Sequence, residues 1–151
     1  MTGYAEQMKT FLRAPKFAVV GASTDRSKWG NKVLRWYQER SLPVTPVNPT
    51  AAEVEGLKAV RDATEVPDLA KTSISVIVNP AIGLSMMQKL FAGQPSTYPA
   101  AVWMQPGAES KSIEDFVKEK KIQDRVVMGG RCILVSGDGV REELRAEKGK
   151  L

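Results

Sequence analysis

The chain has 151 residues, 42% apolar and 26% charged, with a net charge of +5, one cysteine and no histidine. That length makes a single domain with a core of its own, and no stretch approaches the roughly 20 apolar residues that span a bilayer. The missing histidines remove Ser-His-Asp and Cys-His nucleophile systems and His-bearing zinc sites, and the lone cysteine removes disulfide frameworks and thiolate-rich metal clusters. Any catalysis would therefore rest on carboxylates, lysines, tyrosine or one thiol, so a binding protein is expected before an enzyme. The positive charge suits an anionic partner. No basic run interleaved with aromatics points to nucleic acid, and a phosphorylated small molecule is served equally well. Low cysteine use fits a reducing compartment such as the cytoplasm, although the mildly basic, amphipathic segment 2–16 also admits a mitochondrial leader.

Thr2 is placed to cap a first helix running to about Arg13, with Met8, Phe11 and Leu12 on one face and Pro15 as the stop. Residues 17–20, Phe-Ala-Val-Val, read as a strand buried on both faces. It ends abruptly at Gly21-Ala22-Ser23. A polar loop follows, then a helix over 30–39 with Val33, Leu34 and Tyr37 inward. A second strand at 44–47 ends in Asn48-Pro49. Segment 50–69 is irregular, with a short strand or turn near 57–60 and a short helix near 67–70. A third strand at 74–78 ends in Asn79-Pro80 and leads into a helix marked by Ile82, Met86 and Leu90. After a loop at 93–99, a fourth strand at 101–103 ends in Gln105-Pro106-Gly107. Ile113, Phe116 and Val117 mark the next helix, and a fifth strand at 126–128 ends in Gly129-Gly130-Arg131-Cys132. Residues 1–140 form the domain and 141–151 a charged tail, frayed or disordered.

Strands alternating with helical patterns predict an α/β, Rossmann-like, doubly wound fold: a mostly parallel five-stranded sheet with helices on both faces. Such sheets bind ligands beyond the carboxyl ends of their strands. Here all five ends are glycine, proline or small polar turns, which places a site along one rim. The turn at Gly21 is a phosphate seat of the strand–glycine–helix kind. A dinucleotide fingerprint also wants an acid at the end of the second strand, where this chain has Asn48-Pro49, and no P-loop Gly-Lys-Ser/Thr is present.

Gly21-Ala22-Ser23, Val44-Thr45-Pro46-Val47-Asn48-Pro49, Glu53, Gly56, Val78-Asn79-Pro80, Val102-Trp103-Met104-Gln105-Pro106-Gly107 and Arg131-Cys132-Ile133 together resemble the stand-alone coenzyme A-binding domain proteins, similar to the nucleotide-binding domain of the succinyl-CoA synthetase alpha subunit. The resemblance covers about residues 15–133. It departs in a longer loop at 92–98 and in Asn79, where many relatives carry a charged or aromatic residue. It implies coenzyme A or an acyl-CoA along the strand ends, without a catalytic residue. The pyrophosphate would lie on the N–H groups of Gly21, Ala22 and Ser23 and on the Ser23 hydroxyl. Arg26, Lys28 and Lys32 would serve the 3′-phosphate. Val47, Asn48 and Pro49 would border the adenosine. Asn79, Pro80, Trp103 and Gln105 would line the path of the pantetheine. Cys132 is a candidate for a mixed disulfide with coenzyme A, against the plainer reading as a small buried hydrophobe.

Two other classes stay open at this point. An oxidoreductase using NAD or NADP would share the fold and the glycine turn. A non-catalytic interaction subunit would pair with itself or with a synthetase-like partner chain.

Overall fold

The computed structural model describes residues 3–149. The strands are β1 (Lys16–Val20), β2 (Val44–Val47), β3 (Glu53–Val54), β4 (Leu57–Lys58), β5 (Thr72–Val76), β6 (Ala101–Met104) and β7 (Val126–Val127). The helices are α1 (Ala5–Leu12), α2 (Trp29–Glu39), α3 (Pro80–Leu90), α4 (Lys111–Lys120) and α5 (Ile133–Gly149). Five strands pair in parallel in the order β2-β1-β5-β6-β7, and β3 and β4 form a separate antiparallel hairpin.

Strand alternation builds two cores from one sheet. Phe17 and Val19 of β1 face one layer with Trp103, Trp36 and Ile133, under α1, α2 and α5. Ala18 and Val20 face the other with Ile74, Val102 and Met104, under α3 and α4. Both faces are therefore covered, as the continuous apolar strands predict. In the first layer Trp103, Phe11, Phe17, Tyr37 and Trp36 form an unbroken chain of rings, with neighbouring centroids between 5.0 and 5.7 Å.

The doubly wound architecture agrees with expectation; several details differ. The expected cap at Thr2 lies outside the described residues, and the first helix follows Tyr4, which has φ +68°. The segment whose composition admits a leader is built into the core through Met8 and Phe11. β5 begins at Thr72, two residues before the expected strand, because its hydroxyls are satisfied: Thr72 donates to the Asp68 carbonyl and Ser73 to that of Phe11. The irregular stretch after β2 holds the β3–β4 hairpin, turned by Glu55 at φ +49° and Gly56 at φ +80°, the two left-handed positions of a type I′ turn. Residues 141–149, expected as a frayed tail, continue α5. Glu147 binds Lys9 Nζ at 2.7 Å and Arg13 Nη2 at 3.1 Å, and Arg40 grips Asp138 through two nitrogens at 2.6 and 2.7 Å. Those pairs tie α5 to α1 and α2. Among the described residues no helix is long and apolar enough to cross a membrane.

Candidate functional site

The chain leaves β1 outward to β2, then returns across β1 to β5. The carboxyl ends of β1 and β5 thus flank the point where strand order reverses, the position at which open α/β sheets open a crevice. Gly21 sits there with φ +96°, a conformation that L side chains rarely adopt. A Cβ at this position would come within 2.8 Å of the Ile77 carbonyl oxygen. Glycine is therefore required by the sheet itself, packed against the end of β5, before any ligand is considered. A Cβ on Gly30 would collide with the Gly21 carbonyl, so the second glycine lets the first turn of α2 rest on the strand end.

The start of α2 is bare. Lys28 occupies the cap position without a side-chain capping bond, and the first turn holds no acidic residue. The Asn31 N–H already reaches the Lys28 carbonyl at 3.1 Å, which leaves the N–H groups of Trp29 and Gly30 and the positive dipole end of the helix to the rim. Lys28 is exposed, and the Lys32 ammonium lies 4.7 Å from the centre of the Trp29 ring. Trp29 is itself 61% exposed. The Ser23 hydroxyl oxygen accepts from the Asp25 N–H at 3.0 Å and keeps its own proton to donate. Donation from the Ser27 hydroxyl and then its N–H holds the Asp25 carboxylate below its usual range.

Polar bracing fixes this turn from behind. Asn31, fully buried, donates to the Ser23 carbonyl at 2.8 Å and to the Glu55 carboxylate at 3.0 Å. It also accepts from Arg35 Nε at 2.7 Å. Asn48 donates to the Ala22 carbonyl at 2.9 Å and accepts from the backbone of Thr50 and Ala51. Gly21 N–H reaches the Val47 carbonyl at 3.3 Å. Gly21, Ala22, Ser23, Val47 and Asn48 are thus brought together, with the exposed Pro49 beside them. Val47 is buried, so only its backbone belongs to this group. Asn79 and Pro80 stand at the end of β5, where Asn79 Oδ1 caps α3 through the Ile82 N–H and Pro80 fills the first helical position.

Two expected residues are placed differently. Trp103 points into the core with no exposure; its ring packs edge-on against Phe11, and its Nε1 donates to the Arg131 carbonyl at 2.9 Å. Gln105 is also turned inward, its Oε1 accepting from Ile133 N–H at the start of α5. Neither side chain lines a path at the rim. Arg26 faces Glu55 at 3.5 Å, so part of its charge is already matched. Cys132 is half-buried, and its carbonyl accepts from Val135 and Ser136 as α5 begins.

Asn31, Glu55 and Trp29 were not singled out from the sequence. Asn31 gave one signal: a polar residue one turn before Leu34 on the inward face of its helix. Among the described residues, no group of three or more acidic, cysteine or histidine side chains is arranged to hold a metal.

Known proteins share this fold. A conserved hypothetical protein of Pyrococcus furiosus is 36% identical, with a TM-score of 0.69 over 80% of this chain and 97% of its own. A Thermus thermophilus protein is 26% identical, with a TM-score of 0.75 over 92% of this chain and 99% of its own. The dinucleotide-forming acetyl-coenzyme A synthetase 1 of Ca. Korarchaeum cryptofilum, in its apo form, is 26% identical with a TM-score of 0.61, over 77% of this chain but 26% of its own. No curated protein matches the chain. Residues 15–138 match the CoA binding domain, a span containing the glycine turn, all five parallel strands and the start of α5, and the chain belongs to that family.

Proposed function

We propose that the chain holds coenzyme A, free or acylated, across the carboxyl ends of β1, β2 and β5, as a binding module without chemistry of its own. What carries this reading is the bare start of α2, seated by Gly30 on the Gly21 turn at the reversal of strand order. A pyrophosphate there would accept from the N–H groups of Gly21, Ala22 and Ser23, from the Ser23 hydroxyl and from the free donors of the helix start. Lys28 and Lys32 are the cations for the 3′-phosphate, with Arg26 a lesser one because Glu55 opposes it. Asn48 and Pro49 border the adenosine, and Asn79 and Pro80 border the pantetheine. Coenzyme A supplies the reactive thiol; the residues of this chain bind and orient it.

Calorimetry and thermal shift with coenzyme A, dephospho-coenzyme A, NAD, NADP and ATP test the proposal. Coenzyme A at 100 times its Kd should stabilise the chain by about 2.7 kcal/mol. Dephospho-coenzyme A should bind more weakly, and Lys28→Ala should narrow that difference. Acetyl-coenzyme A held with the protein should keep its thioester. Stabilisation by NADP with none by coenzyme A would overturn the assignment.

A further inference from the structure

At the opposite edge of the sheet, where β1 and β2 begin and α1 and α5 end, the surface opens into a cavity of about 840 Å³. That is within the range of about 300–1,000 Å³ typical of small-molecule sites. Its walls are apolar, formed by Leu12, Phe17, Leu42 and Leu144. Around them stand Arg13, Arg141, Arg145 and Lys148, with Glu147 the one carboxylate.

The carboxylates near this cavity already pair with basic side chains, two of which, Arg13 and Arg145, line it. Glu147 binds Lys9 and Arg13, Asp138 binds Arg40, and Glu142 binds Arg145 at 2.7 Å. Arg141 is partly buried and makes no ion pair or hydrogen bond among the described residues. Burial first, and then the charge of Arg145, hold its guanidinium below the ordinary arginine range. Arginine keeps its proton under these conditions. Asp138 and Glu142 attract this guanidinium but spend their hydrogen bonds on Arg40 and Arg145, so its own donors stay free, and an anion brought to them would offset the repulsion from Arg145.

We propose that this cavity is a second ligand site, for an organic carboxylate with an apolar body. The planar guanidinium of Arg141 matches the two oxygens of a carboxylate as a fork. The leucine and phenylalanine walls take the hydrocarbon. The site lies at the amino ends of the strands, away from the Gly21 turn, so its occupancy is independent of coenzyme A.

Isothermal titration of the full chain with decanoate, decanol and inorganic phosphate tests this, with coenzyme A titrated separately. Decanoate should bind saturably, with decanol and phosphate at least tenfold weaker. Arg141→Gln should weaken decanoate at least tenfold and leave coenzyme A affinity unchanged. Leu42→Asp, which puts a negative charge in the apolar wall, should do the same by a different route. Decanoate affinity unchanged from the parent chain in both variants, decanol binding as tightly as decanoate, or no saturable decanoate binding would each overturn the proposal. Loss of coenzyme A binding in the unsubstituted chain would bear on the other rim alone.

Discussion

Gly30 and Gly21 meet backbone to backbone: a methyl group on Gly30 would run into the carbonyl oxygen of Gly21. Gly30→Ala sets two effects against each other. Helix propensity would gain about 1 kcal/mol. Overpacking against a rigid carbonyl costs about 1–3 kcal/mol, and Gly21 cannot yield because the end of β5 lies behind it. The net should be a lower midpoint in urea together with weaker coenzyme A binding, because α2 would lift from the turn. A variant as stable and as tightly bound as the parent would show that this contact does not seat the helix.

Trp103→Phe separates the core from the rim. The substitution leaves a void beside Phe11 and strands the Arg131 carbonyl that Nε1 now satisfies. The expected loss is about 1–3 kcal/mol in equilibrium unfolding. Coenzyme A affinity, measured well below the melting temperature, should be unchanged.

Tyr37 lies fully buried and shares a hydrogen bond of 2.7 Å with the Ser75 hydroxyl. Burial pushes its phenol well above the usual tyrosine range, so the group stays neutral. Tyr37→Phe leaves Ser75 without its partner in the same layer and should cost about 1–2 kcal/mol. Adding Ser75→Ala should recover part of that loss, since both polar groups are then gone; chemical denaturation of the three variants reads the cycle.

Acid should release α5 first. Hydrogen bonds from Lys9 and then Arg13 hold the Glu147 carboxyl below its ordinary value of 4.5, and Arg40 holds Asp138 below 3.8. A carboxyl depressed in the folded state adds stability above its unfolded pKa and loses it as pH falls through the folded one. Tm should therefore be flat from about pH 7 to about pH 5 and decline below that. Both carboxylates are exposed, so added salt should shrink the effect. Glu147→Gln should flatten the acid arm of the Tm–pH curve; an unchanged arm would place the sensitivity elsewhere.

Most of the parallel strands were legible because they contribute to two cores; β5 gives Ile74 and Val76 to one and turns the hydroxyls of Ser73 and Ser75 to the other. In β1, Phe17 and Val19 go to one side and Ala18 and Val20 to the other, so the run is apolar throughout. The glycine and proline turns closing those strands were legible for the same local reason. Thr72 and Ser73 concealed the start of β5, since their partners, the carbonyls of Asp68 and Phe11, lie in other elements. α5 looked like a tail because its last turns are charged, and the pairs that hold Glu147 and Asp138 come from residues more than 90 positions away. The sequence pattern leaves Trp103 open between rim and core, and alternation along β6 turns it under α1. The bracing of the Gly21 turn depends on Glu55, delivered by a hairpin that no local pattern ties to α2.

The three tryptophans divide between two environments: Trp29 is 61% exposed beside the α2 start, whereas Trp36 and Trp103 are at 3% and 0%. The protein therefore carries two built-in fluorescent reporters. Emission from Trp29 should be red-shifted and open to acrylamide quenching, and an adenine or phosphate arriving at the rim should perturb it. Emission from Trp36 and Trp103 should be blue-shifted, shielded from quencher, and changed only when the aromatic chain comes apart. Ligand occupancy and unfolding can then be followed in one cuvette, at two edges of the same spectrum.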